Sequence, residues 1–250
     1  MGGLGDGHPC DLPAGRGGVI SACGALATSA LADPAGGAMM DLSEVANYLI
    51  VAAAAYLAGS VPFAFIWTLV IARKDLRKLG SGNITVYNSY HNVGFWPALL
   101  TVIGNAGLGL GVVFAARWFL PGSDLALLVA LVCVTAGALW PLWLAFSGGK
   151  GTTTCGWATL AISPPIPFAL LGLWFAGLLV TRRTFTSTTL VLRALPIVFW
   201  LFGRWRTDSG GWEFLIAGLV LALMFHIKHT VETDDSIRYG VGRFLGVNKT

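Results

Sequence analysis

Residues 46–72 read ANYLIVAAAAYLAGSVPFAFIWTLVIA, without one charged side chain, and Arg73, Lys74, Arg77 and Lys78 follow almost at once. A bilayer core takes ~20 apolar residues as a helix, so this stretch is long enough to cross it once. Charged side chains near the centre of a span cost ~3 kcal/mol each, and their abrupt return at residue 73 marks a membrane–water boundary. The run Gly59-Ser60-Val61-Pro62 in its middle predicts a kink and close helix contact. Pro62 has no N–H to give, and small side chains let neighbouring helices approach.

Comparable apolar runs follow at Phe95–Leu120, Leu125–Phe146, Pro167–Thr181, Thr188–Phe202 and Trp212–His226. Thr152–Ser163 is shorter and is closed by Pro164-Pro165. It reads either as a half-span held inside the protein or as a tilted short helix. Counting it gives about seven spans, and the expected fold class is an all-α polytopic membrane helix bundle. Composition agrees: 55% of residues are hydrophobic and 11% charged, with a mean hydropathy of +0.72. A soluble domain carries about 25% charged residues, so this chain lacks a polar coat. Trp67, Trp96, Trp140, Trp200 and Trp212 read as an aromatic belt at the headgroup level.

The net charge of +4 does not point to nucleic acid, because the basic residues cluster in short loops between spans. Arg73, Lys74, Arg77, Lys78, Lys150, Arg182, Arg183, Lys228, Arg238, Arg243 and Lys249 all fall on one side under a seven-span count. The positive-inside rule makes that side the cytoplasm. The acidic Asp33, Asp41 and Glu44 before the first span suit an N-terminus outside. Arg204 and Arg206 fall on the opposite side but are outnumbered. The four cysteines have neither CxxC nor metal-ligand spacing, so no metal site or disulfide framework is expected. Few ionisable groups inside the spans and no evident repeat argue against a transporter.

Residues 1–40 are expected to be disordered or to lie upstream of a true start at Met39 or Met40. A signal segment at Val19–Ala32, with Ala30-Leu31-Ala32 as its cleavage site, is the other reading. The folded domain is expected to cover residues 41–250.

Three unusual segments share the basic side: Gly80-Ser81-Gly82-Asn83, Ser147-Gly148-Gly149-Lys150-Gly151-Thr152 and Arg182-Arg183-Thr184-Phe185-Thr186-Ser187. Glycine lets backbone N–H groups approach an anion, and successive N–H groups form a nest for phosphate oxygens. Lys150 and the arginines add positive charge; Ser81, Asn83 and Asn88 add hydrogen bonds. Together they predict a site for a phosphorylated, partly lipidic ligand. Gly149-Lys150-Gly151 is not a P-loop, because that motif needs Ser or Thr directly after the lysine.

The combination resembles a known family. Gly59-Ser60-Val61-Pro62-Phe63, Asp75-Leu76-Arg77-Lys78 and Gly80-Ser81-Gly82-Asn83-Ile84 with Asn88 resemble the acyl-phosphate-dependent glycerol-3-phosphate acyltransferases of the PlsY type. Trp140-Pro141 with Gly148-Gly149-Lys150-Gly151 resembles their second motif, and Arg182 or Arg183 with Thr186 or Ser187 their third. The resemblance implies a seven-span enzyme of the bacterial inner membrane with its motifs at the cytoplasmic face. It implies acyl transfer from acyl phosphate to glycerol 3-phosphate, giving lysophosphatidate and phosphate without cofactor or metal. The partners it implies are those two substrates and membrane lipid.

On this basis the substrate- and phosphate-binding residues are Ser81, Gly82, Asn83, Asn88, Gly148, Gly149, Lys150, Gly151, Arg182, Arg183, Thr186 and Ser187, with Ser60 and His91 at the margin of the set. No covalent nucleophile is assigned. The sequence departs from the family pattern at His91 (where the family has Arg), Ala138 (His), Ser147 (Lys), Asn105 in a span that usually carries Asp and Lys, and Thr233 and Ser236 (His and Asn). The departures motivate two rival readings: a related acyltransferase with a different acceptor, and a catalytically silent lipid-binding paralogue.

Overall fold

The computed structural model describes residues 41–229. Lipid offers backbone groups no hydrogen bonds, so apolar segments at membrane depth satisfy them internally as helices. The described residues are accordingly helical: α1 Leu42–Gly59, α2 Phe63–Ala72, α3 Val86–Asn92, α4 Phe95–Phe119, α5 Asp124–Leu139, α6 Thr152–Ile162, α7 Pro165–Thr181, α8 Thr184–Gly203 and α9 Trp212–Lys228.

Among the described residues four segments are long and apolar enough to cross a membrane: Leu42–Ala72 taken through its break, Phe95–Phe119, Asp124–Leu144 and Thr184–Gly203. Helices α7 and α9, at 17 residues each, are shorter. At 11 residues, α6 is ~16 Å long, about half a bilayer core. Thr154, Cys155, Ala158, Thr159 and Ile162 of α6 are buried. The segment is thus a short helix packed inside the protein.

The first run is broken as its sequence predicts: α1 stops at Gly59 and α2 starts behind Pro62. Two other boundaries differ from the hydropathy reading. The third span ends at Leu139 rather than Phe146, because Pro141 cannot continue the ladder; a 3-10 turn at Leu142–Leu144 follows. Helix α8 begins at Thr184, not Thr188, so Thr184–Ser187 form its first turn instead of a loop.

Helix α5 is the central post. Of its most apolar window 56% is buried, against 22–28% for the other three long segments. Leu131, Val134 and Leu139 are wholly buried there, and Phe199 of α8, Phe214 of α9 and Ile166 of α7 join the same core. Hydrophobicity alone does not drive association in lipid, so close packing does. At Gly137 a β-carbon would overlap the Tyr56 carbonyl, which lets α1 and α5 meet backbone to backbone.

The passages alternate between two ends. At one end, Arg206 donates from Nε and Nη2 to Asp124 (2.8–3.1 Å) and from Nη1 to the Ile162 carbonyl (3.0 Å). Arg117 donates to the Ala161 carbonyl (3.0 Å). Two guanidinium groups thus take up carbonyls at the C-terminus of α6, where positive charge is favoured. Arg206, a basic residue on the sparsely charged side, is ion-paired there. The opposite end gathers the three motif segments.

Candidate active site

The first motif segment is shaped by its own polar groups. Asp75 caps the 3-10 turn Leu76–Lys78, accepting from the Arg77 N–H (3.0 Å) and pairing with its guanidinium (2.8 Å). That hydrogen-bonded guanidinium holds the Asp75 carboxyl below its usual range. Gly80 and Gly82 take positive φ, turning the chain. Asn88, from the first turn of α3, then ties the loop together. Its Nδ2 donates to the carbonyls of Asn83 (2.8 Å), Leu79 (3.0 Å) and Leu76 (3.4 Å), and its Oδ1 accepts from Ser81 N–H (3.3 Å). Asn88 is fully buried. Its place is inside the loop, which it holds in shape, while Ser81, Gly82 and Asn83 are half-buried and line neither cavity described below.

The second segment is pressed against the first. Gly149 is buried, and a β-carbon there would overlap the Ile84 carbonyl oxygen. The strap Gly148–Gly151 therefore lies backbone to backbone with the end of the first loop, which only glycine permits. Gly151, with φ 64°, turns the chain into α6. This delivers Lys150 to the N-terminal end of a buried helix, where the dipole favours an anion.

Here the structure opens a cavity of about 440 Å³. Lys150 lines it from the strap and Lys228 from the end of α9. Lys228 Nζ also sits 5.6 Å from the Trp140 ring centroid, at cation–π distance. Thr85, Tyr87, Thr152, Thr153, Thr184 and Thr188 share the wall with Trp174, Leu192 and Phe225, and the lining is mostly apolar. His229 completes the rim, its ring stacked on Phe185 at 4.7 Å. A cavity lined by two lysines, several hydroxyl-bearing residues and a mostly apolar wall suits an anion joined to hydrocarbon. Its volume is in the range of small-molecule sites.

Of the residues expected from sequence, Lys150 lines this cavity. Gly148, Gly149 and Gly151 line a smaller one of about 40 Å³ against the same strap. Arg182 and Arg183 are exposed on the α7–α8 link. Thr186 and Ser187 do not line the cavity: Ser187 is fully buried and bonds the Arg183 carbonyl (2.9 Å) and the Thr181 hydroxyl (3.2 Å). Ser60 is buried at the α1–α2 break, donating to the Tyr56 carbonyl (2.8 Å). His91 is exposed, with its ring 4.6 Å from that of Tyr87. Thr233 and Ser236 lie outside the described residues.

Sequence reading missed Lys228, His229, Thr184 and Thr188. The last two stand four apart on one helix face, a spacing visible once 184–187 is read as helix rather than loop. In the sequence Lys228 reads only as a topology charge. No group of three or more His, Cys, Asp or Glu side chains among the described residues comes together to hold a metal.

The sequence model of a family described as glycerol-3-phosphate acyltransferase matches residues 49–238. The chain belongs to this glycerol-3-phosphate acyltransferase family. Its relatives in the family include a glycerol-3-phosphate acyltransferase of Syntrophomonas wolfei, 32% identical over 74% of this chain and 90% of that one. Another from Desulforamulus reducens is 36% identical over 78% of this chain and 94% of that one. The fold is similar to crystal structures of PlsY, an integral membrane glycerol 3-phosphate acyltransferase. Its glycerol 3-phosphate form aligns with a TM-score of 0.62 at 20% identity, over 81% of this chain and 94% of that one. Its lysophosphatidic acid form gives a TM-score of 0.60 at 18% identity.

Proposed function

We propose that this protein transfers an acyl group from acyl phosphate to the 1-hydroxyl of glycerol 3-phosphate, forming lysophosphatidate and inorganic phosphate for phospholipid synthesis. One observation carries the reading: a single cavity joins Lys150 and Lys228, a wall of hydroxyls and an apolar side. The reaction needs two phosphates held close while a hydroxyl attacks a carbonyl. Lys150, at the start of α6, neutralises one phosphate and the negative charge that develops on it as the acyl–oxygen bond breaks. Lys228 holds the second phosphate from the opposite wall, and Trp174, Leu192 and Phe225 face the hydrocarbon. Most of the catalysis is positioning and charge stabilisation. No side chain forms a covalent intermediate; the acceptor proton leaves to the departing phosphate or to water.

The Gly80–Asn83 loop and Arg182 and Arg183 belong to the same end, where they attract anionic substrates. This end faces the cytoplasm of a bacterial inner membrane, with the N-terminus outside. Arg73, Lys74, Arg77, Lys78, Lys150, Arg182, Arg183 and Lys228 support that orientation. The pairing of Arg206 with Asp124 removes one of the charges that opposed it.

The test is turnover by purified protein given palmitoyl phosphate and glycerol 3-phosphate. Phosphate and lysophosphatidate should appear in equal amounts, and Lys150→Ala should lower both at least ~10²-fold, the effect of one lost charge-stabilising donor. Folded protein that makes neither product refutes the reading. Product from another phosphorylated polyol alone would favour a different acceptor.

A further inference from the structure

The smaller cavity beside the glycine strap is a second polar feature. Its walls come from the α1–α2 break (Val61 and Pro62), Asn105 of α4, Ala138 at the end of α5, Gly149 of the strap and Thr154 of α6. Thr154 is 2% exposed, and its hydroxyl has no hydrogen-bond partner among the described residues. The Asn105 side-chain amide has none there either.

Two helices also start at this point. Helix α2 begins behind Pro62 and α6 behind Gly151, and neither has a side-chain cap. The leading N–H groups of a helix have no acceptor within the helix. A polar group buried without a partner is costly. A hydroxyl, an amide and two helix starts converging on one small space ask for a ligand that both donates and accepts. A water needs ~10–15 Å³ of such space and two to four polar partners; the cavity offers about 40 Å³.

We propose that this cavity binds a structural water molecule, with room for a second, held by Thr154 and Asn105 and capping the starts of α2 and α6. Ala138 provides the room, since a longer side chain in that wall would fill it. The water joins the α1–α2 break to the strap carrying Lys150, so it fixes the strap's depth. This inference does not depend on which acceptor the protein acylates.

The experiment is a crystal structure of the whole chain in lipidic mesophase at better than about 2.2 Å, resolution at which buried waters show, with a thermal-denaturation cycle of Thr154→Val, Asn105→Leu and their double variant. Density should appear within hydrogen-bond distance of Thr154 Oγ1 and the Asn105 amide, and vanish in Thr154→Val. Each single variant should lower Tm by about 2–4 °C, and the double no further than the worse single, because both remove the same water. If Thr154→Val does not fold, Thr154→Ser should fold and keep the density. A map that shows other buried waters but none here, or fully additive Tm shifts, overturns the proposal.

Discussion

Replacing Gly149 by alanine tests whether the contact between the two loops sets the geometry of the site. An ideal β-carbon at Gly149 would fall well inside contact with the Ile84 carbonyl oxygen. The loops must separate by roughly 1 Å to restore van der Waals distance. Neither side yields cheaply, since both are backbone: one carries Lys150, and the other leads into Thr85, whose side chain caps α3. A displacement of ~1 Å in a positioned group costs ~10²-fold in rate, equal to about 2.7 kcal/mol of transition-state stabilisation at 1.36 kcal/mol per tenfold. Overpacking costs a further ~1–3 kcal/mol of stability, so kcat/KM is to be measured well below the variant's Tm. The assay is the paired release of phosphate and lysophosphatidate from palmitoyl phosphate and glycerol 3-phosphate. Gly156→Ala is the control, because nothing lies within 4 Å of a β-carbon at that position; it should leave kcat/KM unchanged. A folded Gly149→Ala protein with kcat/KM within threefold of wild type would refute the reasoning.

Asn88→Ala should destabilise the protein by about 3 kcal/mol, because the buried Leu76 carbonyl and the part-buried carbonyls of Leu79 and Asn83 lose their donor; a melt in detergent reads the loss, and an unchanged Tm would contradict the clamp. At the opposite end, Arg206→Ala should cost only ~1 kcal/mol, being a partly exposed bidentate pair. Arg206→Lys should recover little of it, since one ammonium cannot reach both Asp124 and the Ile162 carbonyl. Full recovery by lysine in the same melt would show that charge alone matters there.

How much was legible in the sequence differs between fold and site. The helical spans were readable because lipid enforces a one-dimensional rule: every apolar run long enough must be a helix, and charges return where it ends. Pro62 and the pair Pro164-Pro165 marked breaks that the structure has. Pro141 marked one too, but hydropathy continued through Trp143 and Phe146, so the span was drawn too long.

The motif segments were readable as residue types, since a loop of Gly, Ser, Asn and Lys on the basic side has few reasons to exist. Their roles were not. Asn88 is a polar residue of the right kind beside the right loop, and nothing local says that its amide turns inward. Ser187 and Thr188 are neighbours in sequence, yet one faces Thr181 and the other the cavity, because 100° of helix rotation separates them.

The sequence by itself determined that this chain is a membrane helix bundle with phosphate-friendly loops gathered on one side. Only the tertiary structure decided that Lys228 at the end of α9 and Lys150 line one cavity. That placement depends on how α5, α8 and α9 pack, and packing in lipid is set by shape, which no single segment's hydropathy records.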